Sequence, residues 1–258
     1  MNEDFEGSSQ CSGNSSRRVL PDFSFPQLHP SGALRDPSQV CHPSVSYPQS
    51  MDFYGRDFVI TPDVLIPRPE TEMMVDAVLN LCGKSYLPGV KPSKPKLPQD
   101  CKIIDVGTGS GCIAITLARE LSKARIVACD VSRKALAVAR KNARRLEADV
   151  EFIESDLLNK VADDFDVVVA NLPYVDENWE WLDKKALSYE PAVALYAEDG
   201  GLALIKKLIN QVAERKIPYL ILEADPCQHE RVIEYAGTKG YSLLEIRGFC
   251  LALARFRL

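Results

Sequence analysis

The 258-residue chain has no apolar run approaching the roughly 20 residues that a helix needs to cross a bilayer, so no membrane span is expected. Its first ten residues, MNEDFEGSSQ, lack both the basic and the apolar stretch of a secretion signal, and they lack the arginines of a transit peptide. The cytoplasm is the expected compartment. Histidine is scarce: His29, His42 and His229 stand at no ligand-like spacing from cysteine or aspartate, and the eight cysteines include no CxxC pair. No metal is therefore expected. Cys101, Cys112 and Cys129 fall within apolar runs, where a free thiol behaves as a small hydrophobe rather than half of a disulfide. An excess of positive charge is missing too. A net charge of -5 argues against a broad grip on phosphate backbones, though it leaves room for a small basic groove. No internal repeat of fixed period appears.

What is present is a soluble enzyme's composition, 46% apolar and 26% charged. Residues 1–50 are rich in Ser, Pro, Gly and Asn without helical or strand period, and are expected to be poorly ordered. From residue 51 the texture is that of a folded domain. FYGRDFVITPDVLI reads as a short hairpin, Pro67 and Pro69 stiffen the turn around Arg68, and Thr71 is placed to cap a helix from Glu72 through MMVDAVLNLC. The Pro/Lys stretch LPGVKPSKPKLPQ ends that element. Strands KIIDVG, RIVACD, VEFIESD, FDVVVAN and PYLILEA then alternate with helices GCIAITLAREL, SRKALAVARKNARRL, GLALIKKLINQVAERK and QHERVIEYAGTKG. SLLEIRGF and CLALARFRL close the chain as a paired hairpin. This order predicts an α/β, Rossmann-like fold with a doubly wound, mostly parallel sheet and a C-terminal antiparallel hairpin. The span from Met51 to Leu258 is read as one domain, with a hairpin segment over 51–75 and the sheet core over 100–258.

The first candidate site is DVGTGSGCIAI, a buried strand that ends in a glycine turn opening into a helix. Gly107, Thr108, Gly109, Ser110 and Gly111 let the backbone bend tightly and let a ligand approach without Cβ atoms in the way. A simple strand–helix turn would use the same residues. The next strand ends in Asp130, where a carboxylate can accept two ribose hydroxyls; the competing use is a helix N-cap, which Ser132 can supply instead. The third strand ends in Asp156-Leu157, a place for an adenine amino group and for a side chain against its ring, or merely a surface loop acid. The turn lacks the G-x-G-x-x-G spacing that cradles a pyrophosphate. Two acids without that spacing suit an adenosine bearing a cationic sulfonium, so S-adenosylmethionine is the expected cofactor.

The second candidate site decides the reaction class. The fourth strand runs into Asn171-Leu172-Pro173-Tyr174. The Asn171 side-chain carbonyl and the Leu172 main-chain carbonyl are two acceptors able to point at one NH₂ group. Accepting both N–H bonds raises electron density on a delocalised nitrogen and holds it in line with a methyl–sulfur bond. Pro173 stiffens the loop and Tyr174 offers a ring face to a planar group. An ordinary Asn/Pro turn is the alternative.

GTGSG, Asp130 and NLPY together resemble a class I methyltransferase acting on amino nitrogen, and VLIPRPETE resembles the segment that precedes the catalytic domain of HemK/PrmC-type release factor glutamine methyltransferases. Tyr54-Gly55, Phe58 and SYEPAVALYAEDGGLALI fit the same pattern, so the likeness covers about residues 52–258. It implies a seven-stranded sheet whose last strand is antiparallel. It implies S-adenosylmethionine on residues 107–111, Asp130, Asp156, Leu157 and Asn171, and a glutamine against Asn171 to Tyr174. It further implies that Arg68, Glu70, Thr71 and Glu72 belong to a lid-like segment; by charge alone, Arg68 and Glu72 read equally as an ion pair at a helix start. The partner implied is a peptide chain release factor presenting its GGQ loop. Two departures stand out. Leu172 replaces a proline, at a position where only the carbonyl is used, and residues 1–50 do not carry the pattern of the family's N-terminal helical domain. NLPY also resembles the motif of ribosomal RNA dimethyladenosine transferases, which makes adenine the alternative acceptor, with Tyr174, Trp179 and Trp181 available to stack a flipped base. A non-catalytic binder on the same fold is the third reading, although it has no need of Asn171. Nothing specifies an oligomeric state, so a monomer is the default.

Overall fold

The computed structural model describes residues 48–84, 96–180, 182 and 190–256. Residues 1–47 of the segment 1–50 expected to be poorly ordered, most of the Pro/Lys loop and Trp181 lie outside the described residues, while Ser50 already belongs to the first strand. Strands β1 (Ser50–Phe53) and β2 (Arg56–Val59) pair antiparallel across the two-residue turn Tyr54-Gly55. Both turn residues have positive φ, 55° and 68°, the geometry whose twist matches a two-residue hairpin. Tyr54 carries a Cβ into that region, and two contacts hold it there. Its N–H donates to Glu72 Oε1 at 2.6 Å and its hydroxyl to Asp76 Oδ1 at 2.7 Å. Phe53 and Phe58 are buried edge-to-face beneath the hairpin, with ring centroids 6.0 Å apart.

Helix α1 (Glu72–Leu81) follows a 3₁₀ turn at Pro69–Thr71. The expected Thr71 cap does not form. Thr71 has helical φ/ψ (−67°, −21°), so its side chain cannot fold back on the first turn and is spent elsewhere.

The main sheet comprises β3 (Lys102–Val106), β4 (Arg125–Asp130), β5 (Glu151–Glu154), β6 (Val167–Ala170), β7 (Tyr219–Glu223), β8 (Tyr241–Arg247) and β9 (Cys250–Arg255). Its order is β5-β4-β3-β6-β7-β9-β8, and β9 runs antiparallel to both of its neighbours. The central strands are short runs of Val and Ile because both of their faces are covered. Alternate residues supply two cores. Ile103, Ile126, Val167 and Ile221 pack with α1, α2 (Cys112–Glu120) and α3 (Arg133–Arg145). Ile104, Val127, Val168 and Leu220 pack with α4 (Ala203–Glu214) and α5 (His229–Thr238). Each such side chain contributes about 1.5–3 kcal/mol on burial, so the two-sided cover fixes the register of the whole sheet. The order reverses beside β3, whose neighbours β4 and β6 lead to opposite halves of the molecule. A crevice opens beyond the carboxyl ends of the strands there, as the topology requires.

A candidate active site at the carboxyl edge of the sheet

A cavity of about 320 Å³ occupies that crevice. Its walls bring together the glycine turn after β3, Asp130 at the end of β4, Asp156 and Leu157 after β5, and Asn171, Leu172 and Pro173 after β6. Arg68 and Thr71, from the segment before α1, border it as well. A smaller cavity of about 120 Å³ adjoins it, and Arg68, Asn171 and Leu172 face both. Tyr174 lines only the smaller one, and Trp179 lines neither.

The three glycines of the turn all have positive φ, but they serve different ends. A Cβ on Gly109 would meet nothing within 4 Å, so this is the open position where a ligand can come close. A Cβ on Gly107 would lie 3.0 Å from Leu172 Cδ2, so this glycine lets the loops after β3 and β6 touch. Gly111 caps α2 and packs on α3, where a Cβ would sit 2.8 Å from Ile115 and 3.1 Å from Ala139. Gly111 has this packing role and stands outside the lining of the cavity, next to Ser110 and Cys112, which border it.

Asp130 is not the cap of α3. Ser132 fills that post, its Oγ accepting from Ala135 N at 3.2 Å. The Asp130 carboxylate accepts from Gly109 N at 2.9 Å and from Ser132 N at 2.8 Å, one on each oxygen. Each oxygen retains a lone pair for a further donor. Burial raises the Asp130 pKa against those backbone bonds. Asp156 also borders the cavity, but it is exposed, and its Oδ2 accepts from Lys207 Nζ at 2.6 Å and Asn159 Nδ2 at 3.1 Å. Leu157 is buried with a left-handed φ of 48°, strain of the sort that surrounding contacts hold at a functional turn. Asp105 lies deeper. Its Oδ2 accepts from Thr108 Oγ1 at 2.6 Å and Ala114 N at 3.2 Å, while Oδ1 has no partner among the described residues. Burial pushes its pKa up to about 7.

Around Asn171 the polar groups form a chain. Asn171 Nδ2 donates to Thr71 Oγ1 at 3.2 Å, and Thr71 Oγ1 donates to Glu223 Oε2 at 2.7 Å. Glu223 also accepts from the Tyr174 hydroxyl at 3.1 Å. Glu223 ends β7 and is only 2% exposed. Burial raises its pKa, and hydrogen bonds from Thr71, Tyr174 and Asn171 act the other way. The Tyr174 hydroxyl is pushed well up by burial and by the Glu223 charge. Arg68 and Glu72, read as a possible ion pair, take different partners. Arg68 bonds Glu190, which also accepts from Ile66 N at 3.0 Å. Glu72, expected beside Arg68 at the substrate, turns to the hairpin and accepts from Tyr54 N, and it borders neither cavity.

Residues 93–217 match the family described as Methyltransferase small domain. The chain is 39% identical over 211 residues to a release factor glutamine methyltransferase of Koribacter versatilis, an alignment covering 77% of this chain and 70% of the relative. The chain belongs to the release factor glutamine methyltransferase family. A member from Lactococcus lactis is 43% identical over 150 residues, covering 57% of this chain and 50% of that protein. The chain thus spans between half and about 70% of these two relatives' lengths. A solved 16S rRNA methyltransferase from T. thermophilus, in complex with AdoMet and guanosine, shares the fold with a TM-score of 0.57 at 17% identity, over 81% of this chain and 50% of that one. By family this is an S-adenosylmethionine-dependent methyltransferase. The site suits that cofactor: an open glycine, a carboxylate at the end of β4 with lone pairs to spare, and the apolar Val131 and Leu157 border one cavity.

The geometry gives roles to residues that the sequence analysis did not single out as site residues. Glu190, inside SYEP, clamps the PRPE turn through Arg68 and Ile66. Gly201, with φ of 83°, lies so close beneath the Asn171 loop that a Cβ would fall 1.9 Å from the Tyr174 carbonyl oxygen. Gln228 Nε2 donates to that same carbonyl at 2.8 Å and to Gly200 O at 2.7 Å. Glu223 carried the signal that marked Asp130, an acid ending a buried strand, and could have been found the same way.

Proposed function

We propose that this chain transfers a methyl group from S-adenosylmethionine to the side-chain amide nitrogen of a glutamine, the one in the GGQ loop of a peptide chain release factor. One observation carries the reading: Asn171 and Leu172 stand at the junction of the two cavities, facing both. The larger cavity is the place for the cofactor and the smaller one, beside Tyr174, the place for the acceptor amide. When bound, the cofactor supplies an electrophilic methyl on a positively charged sulfur.

The chain's own residues do the rest by position. Gly107, Thr108, Gly109 and Ser110 take the cofactor's amino-acid end, Asp130 its ribose, and the Asp156-Leu157 turn its adenine. Asn171 Oδ1 and the Leu172 carbonyl accept the two N–H bonds of the acceptor, keeping its lone pair free and aimed. Pro173 and Tyr174 fix the loop, and Arg68 borders the junction from the lid side. In this reading residues 51–258 are the methyltransferase domain, with the hairpin segment 51–75 as its cover, and a translation factor as partner places the reaction in the cytoplasm. No described helix is long and apolar enough to cross a membrane.

Incubation with methyl-labelled S-adenosylmethionine and, separately, release factor and ribosomal RNA tests the reading. Label on the GGQ glutamine, located by mass spectrometry, is the expected result. Label on RNA adenine and none on the protein would replace it with the nucleic-acid reading.

A further inference from the structure

Asn171 can serve as an acceptor only with its amide the right way round. An asparagine side chain is nearly symmetric in shape, so rotation by 180° would present NH₂ where the oxygen is needed. Such a flip would set donors against donors and abolish the acceptor pair. Some neighbour must therefore choose the orientation.

The choice follows from counting protons. An ionised carboxylate can only accept, and Glu223 takes hydrogens from Thr71 at 2.7 Å on one oxygen and from Tyr174 at 3.1 Å on the other, with the Asn171 amide as a further donor toward it. The Thr71 hydroxyl has a single proton, and it is committed to Glu223. What Thr71 offers Asn171 is a lone pair, and only the NH₂ half of an amide complements it, as the 3.2 Å contact shows. Asn171 Oδ1 is thereby left on the opposite side. Thr71 and Glu223 are both 2% exposed, so no water competes for these bonds at low cost. The two residues come from opposite ends of the chain, 152 positions apart, and neither belongs to the NLPY motif.

We propose that Glu223 and Thr71 are positioning residues that polarise this hydrogen-bond chain in one direction, locking the Asn171 amide so that its oxygen faces the acceptor nitrogen. The idea rests on the methyl-transfer reading and adds to it the source of its geometry. Glu223→Gln keeps the shape but lets the new amide donate to Thr71, freeing the hydroxyl proton for Asn171 Oδ1 and reversing the chain. Thr71→Val keeps the shape and removes the relay, whereas Thr71→Ser keeps the hydroxyl.

The test measures kcat, KM for release factor and the affinity for S-adenosylmethionine by calorimetry, on full-length chains whose thermal unfolding shows them folded. Expected are kcat losses of about tenfold or more for Glu223→Gln and Thr71→Val, with cofactor affinity within about twofold of wild type, and recovery of most of the rate in Thr71→Ser. Wild-type kcat in both Glu223→Gln and Thr71→Val would overturn the proposal, as would a rate loss matched by equal loss of cofactor affinity. If either isostere fails to fold, the Thr71→Ser rate against the surviving variant decides, since only the hydroxyl relay predicts that serine recovers what valine or glutamine loses. Wild-type protein that leaves the release factor unlabelled would instead sink the methyl-transfer reading itself, so the two failures are separate.

Discussion

At the scale of single residues, the site divides its polar groups between gripping the acceptor and gripping the cofactor, and substitutions separate the two. Asn171→Ala removes a preorganised acceptor, so turnover is expected to fall by ~10²-fold or more with cofactor affinity within a few-fold; near-normal turnover would remove Asn171 from the mechanism. Asp130→Ala acts on the other half. It deletes the acceptor that also ties Gly109 N and Ser132 N, so cofactor binding measured by calorimetry is expected to weaken by ~1–3 kcal/mol. Asp105 supplies a pH signature. Its carboxyl moves from 3.8 to about 7 on folding, because burial disfavours the charge. Between those values the native state holds a proton that the unfolded chain has released. This stabilising contribution is complete below the unfolded value and is lost as pH rises through the folded one. Cofactor-free protein should therefore lose up to about 1.4 kcal/mol per pH unit from this group across that window, and Asp105→Asn should flatten the slope in urea titrations. An unchanged slope would mean that Asp105 is already ionised in the folded state.

The elements were legible where a local pattern dictates them and opaque where distant residues do. Val167–Ala170 could only be a strand covered on both faces, and the 3.6-residue period of Ala203–Glu214 announced its buried Ile205, Leu208, Ile209 and Val212. Thr71 misled, because a threonine before an acidic helix start reads as a cap unless one knows that Glu223 lies within reach. The same holds for Arg68. Glu72, one helical turn on, was a plausible partner, but the actual partner lies 122 positions away, and no local rule reports that. The loops around NLPY are held by such remote contacts, which gives a prediction for Gly201. Alanine there would drive a Cβ into the Tyr174 carbonyl, backbone that cannot swing aside, and to within 2.5 Å of Gln228 Nε2, which is itself tied to that carbonyl, all at a φ of 83°. Gly201→Ala is expected to cost about 2–4 kcal/mol in denaturant unfolding. A cost below about 1 kcal/mol would show that the loop shifts freely. Gly109→Ala makes the contrast, since its Cβ meets open space: folding should lose only the roughly 1–2 kcal/mol of a left-handed φ of 54°, and cofactor affinity should fall besides.

For the described molecule as a whole, the sheet order makes the site. Reversal beside β3 parts the loops after β3 and β6 just enough to leave a crevice, and Gly107 against Leu172 brings them back into contact at one point. That contact sets Asn171 where the two cavities adjoin, so a group in one and a group in the other can meet beside it. The doubly wound, mostly parallel sheet was readable from strand–helix alternation, whereas the second cavity was not, because Tyr174, Val175, Leu195 and Glu223 that line it come from segments with no shared local signal. The most direct measurement is a crystal structure of the chain with S-adenosylhomocysteine and a GGQ-containing peptide or release factor. The glutamine side-chain nitrogen should lie within about 3 Å of both Asn171 Oδ1 and the Leu172 carbonyl oxygen, with the cofactor's sulfur in the larger cavity on the far side of that nitrogen. A sulfur remote from Asn171, or a glutamine amide bound anywhere other than between those two oxygens, would contradict the account.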